Sequence, residues 1–294
     1  MKIKVDQLSK VFKGGHRALD NINLEIGDGM FGLLGPNGAG KTTFMRILVT
    51  LAEASSGTIT INEMDLSKNR RDIRAMLGYL PQDFRFFSKL KTWEFLDYVA
   101  SLAGLKDSRK RATAVDEMLE SVGLFEVRER LANKLSGGMK RRLGIAQALI
   151  GTPKIVIVDE PTTGLDPEER IRFRNILSKM SQKDMVIILS THIVSDISSI
   201  CKDMALLNKG KIMYQGSPEA LIAQAQNHVW EVNATQNQLE ELKEKYSVIS
   251  TIPSGDMWDV QVVADSVEGF EAQSIAPNLE HAYVYFMKNS TRSL

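Results

Sequence analysis

The chain has 294 residues, 43% of them apolar, with 37 lysines and arginines against 36 aspartates and glutamates. That length suits one large domain with a small one, or two medium ones, and the apolar share argues against long disorder. A net charge of +1 gives no electrostatic drive toward nucleic acid, and a single cysteine, Cys201, excludes an internal disulfide framework and fits a reducing compartment.

Residues 2–8 alternate charged and apolar side chains, which predicts a half-buried strand and not a signal peptide. Residues 22–26 repeat the pattern. Residues 30–34 are more continuously apolar and run into a glycine-rich stretch, with a helix predicted over 41–51. An alternating strand follows at 57–62 and a short one at 78–82. The pattern is helical from about 84 to 150, where Gly151 and Pro153 act as terminators. Unbroken runs of β-branched residues and leucine at 155–158 and 186–189 predict strands buried on both faces of a parallel sheet, hence an α/β core. From about residue 222 the character changes. Strands at 228–233 and 258–263, a helix over 236–246 and a turn at 254–256 predict a separate small α+β domain spanning 222–294. No apolar run approaches the roughly 18–20 residues needed to cross a bilayer, so a membrane role is expected only through a partner.

Three segments carry chemistry. Gly35, Pro36, Asn37, Gly38, Ala39, Gly40, Lys41 and Thr42 fit the phosphate-loop pattern at every fixed position, between a strand and a helix. The glycines let backbone N–H groups turn toward phosphate oxygens, Lys41 adds charge, Thr42 can ligate Mg²⁺ and Thr43 can add a phosphate contact. Asp159 and Glu160 close the 155–158 run, where a strand-end carboxylate can hold magnesium and its neighbour can polarise water. Between them, Leu135, Ser136, Gly137, Gly138 and Met139 form a second glycine-rich helix start. At a site already filled by the first loop it has no task, unless it closes over the nucleotide of another copy.

In this order the motifs resemble those of the ATP-binding cassette (ABC) family over about residues 2–220. The resemblance implies a P-loop NTPase (RecA-like) core with an antiparallel β subdomain and a helical subdomain at about 84–150, together forming a nucleotide-binding domain over 1–221. It implies ATP and Mg²⁺ as ligands, with Thr42, Gln82 and Asp159 around the metal. Glu160 would be the base, Lys41, Gln82 and His192 would act at the γ-phosphate, and Phe12 would stack on adenine. Ser136, Gly137, Gly138 and Asp166 would reach a partner's nucleotide. Met139 departs from the usual glutamine, and methionine there is similar to export-type cassettes. The implied protein is an ATPase driving an exporter, as a homodimer or heterodimer, at the cytoplasmic face of the membrane through a separate permease. The 222–294 domain is similar to extensions of such cassettes, with a role in pairing or regulation. A soluble cassette working on ribosomes or DNA is the alternative; near-neutral charge and about 54 residues between Gln82 and Ser136 weigh against it.

Four further expectations concern single side chains. Phe84, Phe86, Phe87, Trp93 and Phe95 are either subdomain core or a docking groove. Arg141 and Arg142 read as a solvated helix face. His228 and His281 lack the spacing of metal ligands. Trp230 and Trp258 read as core.

Overall fold

The structure, a computed structural model, describes residues 1–84, 86, 89–181 and 185–292, so Phe87 lies outside the described residues. In chain order it forms β1 (Ile3–Val11), β2 (Arg17–Ile26), β3 (Gly29–Leu34), α1 (Lys41–Leu48), β4 (Ser56–Ile61), β5 (Met64–Asp65), α2 (Arg70–Ala75), β6 (Leu77–Leu80), α3 (Thr92–Leu102), α4 (Ser108–Ser121) and α5 (Gly137–Leu149). There follow β7 (Ile155–Asp159), α6 (Pro167–Met180), β8 (Val186–Thr191), α7 (Val194–Ile200), β9 (Asp203–Asn208) and β10 (Lys211–Gly216). The remainder is α8 (Pro218–Gln224), β11 (Val229–Ala234), α9 (Gln236–Lys245), β12 (Ser247–Ser254), β13 (Met257–Val263), β14 (Ala272–Ser274) and α10 (Leu279–Arg292). Two compact units result: residues 1–196 with 200–215, and residues 197–199 with 216–294.

In the larger unit the alternating strands give an antiparallel sheet ordered β2-β1-β4-β5, and the unbroken apolar runs give a six-stranded sheet ordered β10-β9-β3-β8-β7-β6. Pairings β9–β3, β3–β8, β8–β7 and β7–β6 are all parallel. Every residue of β7 and β8 is buried, as strands covered on both faces must be. Phe44, Met45, Ile47 and Leu48 of α1 pack into a core shared with Ile155, Ile157, Val186 and Ile188.

Helix α1 ends at Leu48, earlier than its apolar pattern predicts. Thr50 takes φ 60, in the left-handed region. The amides of Leu51 and Ala52 then turn back to the Arg46 carbonyl. This is a helix stop normally marked by glycine, made here with threonine.

The smaller unit is an antiparallel sheet ordered β12-β13-β11-β14. Leu239 and Leu242 of α9 join Val232, Val260 and Val262 in its core, with Trp230 and Trp258 packed against it. His228 stacks on Tyr285 at 4.4 Å and pairs with Asp265, while His281 is buried and faces Gln261.

Candidate functional site

The parallel ladders set the site. Leu34 lies beside Thr191, Asp159 beside Ser190 and Leu80 beside Val158, so four neighbouring strands end level. The segments that leave them are the 35–40 loop, His192, Glu160 and the Pro81–Gln82 turn. All open at the carboxyl ends of the strands, where open α/β sheets bind ligands.

Glycine is required at two points of the loop. A Cβ on Gly35 would lie 2.2 Å from the Leu207 carbonyl oxygen, and Gly40 holds φ 110 with the Ala18 carbonyl 2.5 Å from where a Cβ would stand. Gly40 caps α1 with no side-chain hydrogen bond. The first amides of α1, at the positive end of its dipole, therefore remain available to an anion. Lys41 is buried; its Nζ donates to the carbonyls of Gly35 at 2.7 Å and Pro36 at 3.1 Å, and lies 3.0 Å from Glu160 Oε1.

Two adjacent carboxylates meet opposite electrostatics. Asp159 is fully buried, and burial pushes its pKa up against the opposing Ser190 and Thr42 hydroxyls. Ser190 donates to Oδ1, while Oδ2 has no hydrogen-bond partner among the described residues. A buried carboxylate with a free oxygen beside a threonine hydroxyl fits a small hard cation that prefers oxygen ligands. Burial also raises Glu160, but Lys41 and His192 outweigh it and hold its pKa below the usual range. Glu160 Oε2 lies 2.9 Å from His192 Nδ1 and accepts from the Thr163 hydroxyl at 3.2 Å. Its backbone has φ 47, a left-handed conformation rare for a non-glycine residue.

Gln82 is exposed and, with Thr42 and Asp159, lines a cavity of about 1040 Å³. Ser136 caps α5, its hydroxyl accepting from the Met139 amide at 3.2 Å. Gly137 faces open space, whereas Gly138 abuts the Glu169 side chain. Asp166 caps α6 by accepting from the Glu169 amide at 2.8 Å. Phe12 is 45% exposed, with the His16 ring nearly parallel at 6.4 Å. Among the described residues, no hydrogen bond or ion pair joins Phe12, Ser136, Gly137, Gly138 or Asp166 to the 35–43 loop. The structure thus gathers Lys41, Thr42, Gln82, Asp159, Glu160 and His192, and leaves the other five residues facing elsewhere within one subunit.

The reading of Arg141 and Arg142 as a solvated face is corrected. Arg142 is buried, bonding the carbonyls of Val122 at 2.9 Å and Gly123 at 2.8 Å and pairing with Glu169. Arg141 donates to the carbonyls of Pro81, Gln82, Glu160 and Pro161. The helical period of α5 alone did not place these side chains, because their partners are backbone groups distant in sequence. Ser190 was missed because its partner, the Asp159 carboxylate, stands on a neighbouring strand 31 residues away, and Thr163, although only three residues from the Glu160 carboxylate it bonds, belongs to no motif that singles it out. Phe84, Phe86 and Phe95 stack edge to face, Phe84 abuts Gly144 of α5, and Arg128 lies over Trp93, which favours the subdomain core.

Residues 19–163 match the ABC transporter family. An uncharacterized ABC transporter ATP-binding protein of Bacillus subtilis (strain 168), YxlF, is 36% identical over 83% of this chain and 80% of its own length. The chain belongs to this family. It is an ABC ATPase, and its core has the P-loop NTPase fold that its motifs imply. The bacitracin transport ATP-binding protein BcrA of Bacillus licheniformis is 35% identical over 72% of this chain and 68% of its own length. A dimeric post-hydrolysis state of the cassette MJ0796, bound to ADP and Pi, superposes with a TM-score of 0.67 at 25% identity over 73% of this chain and 98% of that one.

A raised carboxylate pKa means the folded cassette binds a proton at Asp159 more readily than the unfolded chain does. Its contribution is therefore destabilising above the unfolded pKa of about 3.9, and protonation relieves it as pH falls. Asp159→Asn is expected to raise the Tm of the nucleotide-free protein at neutral pH by a few degrees. Calorimetry over pH 4–8 checks this, with the gain shrinking toward pH 4.

Proposed function

We propose that the six gathered residues hydrolyse MgATP and that Ser136, Gly137, Gly138 and Asp166 complete the same site on a second subunit. The supporting observation is the Lys41–Glu160–His192 contact set at the end of β7. Lys41 is poised to exchange its carbonyl and carboxylate partners for phosphate oxygens. Glu160, kept ionised below its usual range, then accepts a proton from water, and His192 holds it in place. Thr42 and Asp159 would hold Mg²⁺, with Gln82 lining the same cavity; when bound, the ion would supply charge neutralisation at the outer phosphates. Phe12 offers an exposed ring to adenine. The open face of Gly137, on the uncovered start of α5, suits a phosphate presented by another chain. All motifs are present, so a homodimer has two working sites.

Glu160→Gln should keep ATP affinity, cut turnover by roughly 10²-fold or more, and run as a dimer in MgATP on size exclusion. Wild-type turnover would remove Glu160 from the role of base.

The permease is assigned to the cavity beside Gln82. Leu51 at 61% and Leu102 at 70% exposure flank it, with Arg46, Arg71 and Arg74 on its wall. Exposed leucines at the mouth of a groove that reaches the nucleotide site suit a short amphipathic segment of a membrane subunit. Met139 favours export and the likeness to BcrA favours transport, with the chain held at the cytoplasmic membrane face by that contact. Leu102→Glu should leave turnover by the isolated chain within about twofold while releasing the chain from membranes in a flotation assay. Retention on membranes would move the docking surface elsewhere.

A further inference from the structure

The six-stranded sheet loses its ladder where the site begins. The last β6–β7 pair is Leu80 with Val158. Beyond it the carbonyls of Pro81, Gln82, Glu160 and Pro161 are left at the junction of two strands that no longer face each other. All four go to one side chain. Arg141 Nη1 donates to Gln82 O at 2.7 Å and Pro81 O at 3.4 Å, Nε to Pro161 O at 2.8 Å and Nη2 to Glu160 O at 3.1 Å. The planar guanidinium presents five donors in a fixed fork and spans this set, whereas a lysine ammonium offers one point of attachment.

Two features make the clamp more than filler. Glu160 stands at φ 47, a conformation that persists only when its surroundings over-determine it. Its N–H bonds the Ser190 carbonyl at 3.0 Å, and its own carbonyl is held by Arg141. Arg141 also sits five residues after Ser136 on the same helix, α5, whose first turn carries Gly137 and Gly138. The turn that faces a partner's nucleotide and the carbonyls that seat Gln82 and Glu160 are therefore joined through one rigid helix and one side chain.

We propose that Arg141 is a positioning residue for ATP hydrolysis: it fixes the backbones of Gln82 and Glu160 to the signature helix, so that engagement of Ser136–Gly138 by a partner's nucleotide sets the geometry of the subunit's own base. This rests on the roles assigned above to Gln82, Glu160 and Ser136. Arg141 touches neither phosphate nor water in this scheme. It acts through Gln82 and Glu160, two of the four residues whose carbonyls it holds.

The test uses the full chain with Arg141→Lys, which keeps the stem and the charge, and Arg141→Gln as a second variant. Tm, ATP affinity and steady-state kinetics are measured for each, alone and combined with Glu160→Gln. The expected result is an ATP Kd within about twofold of wild type, an unchanged Tm for the lysine variant, and a kcat lowered about tenfold or more. In the Glu160→Gln background the same substitution should cost far less, because the residue it positions has lost its function. Three results overturn the proposal: an undiminished kcat, a fall in kcat that tracks a fall in Tm or in ATP affinity, or a full, additive loss on top of Glu160→Gln. Failure of the underlying site reading shows separately, as normal turnover by Glu160→Gln alone.

Discussion

Four parallel strands that end at the same level are the constraint on which the site depends. The pairs Leu34–Thr191, Asp159–Ser190 and Leu80–Val158 leave no slack in register. A slip of one residue along any strand would turn its terminal side chain to the other face. The buried β-branched runs of β7 and β8 therefore act on catalysis at one remove. Their packing fixes register, register places the loops, and the loops carry Asp159, Glu160, Gln82 and His192.

Within that frame, the pKa values of neighbouring carboxylates are shifted in opposite directions by their surroundings. Asp159 faces inward with little beyond two hydroxyls, so its charge is costly until a cation arrives. Glu160 faces Lys41, His192 and Thr163 and stays charged with its proton-accepting capacity intact. Separating two adjacent titratable groups by environment is how, in the proposed mechanism, a single strand end would supply both a metal ligand and a base. The strained backbone at Glu160 belongs to the same arrangement, since it aims the second carboxylate where a regular strand would not.

The core fold and the phosphate loop were legible because their signals are local. Glycines at fixed spacing, a following threonine and an unbroken apolar strand each specify their own conformation. What was not legible depends on partners remote in sequence. Arg141 and Arg142 look like ordinary surface arginines until β6, β7 and α4 are folded against α5. Helix α1 overran its true end because Thr50 adopts a conformation normally signalled by glycine. Strands β9 and β10 left no separate mark, although Leu207 of β9 supplies the carbonyl that makes Gly35 obligatory. The signature segment was readable as a motif, but among the described residues no hydrogen bond or ion pair joins Ser136 or Gly137 to the phosphate loop of the same subunit.

Mixing two disabled chains tests whether the site is shared between subunits. Lys41→Ala removes the nucleotide grip and Ser136→Glu blocks the signature turn, so each homodimer should be inactive. A mixed dimer holds one intact composite site, so an equimolar mixture should recover turnover that neither chain has alone, up to roughly a quarter of wild type and less to the extent that the blocked turn also misplaces that chain's own base. Full turnover by the Ser136→Glu chain on its own would contradict the shared site.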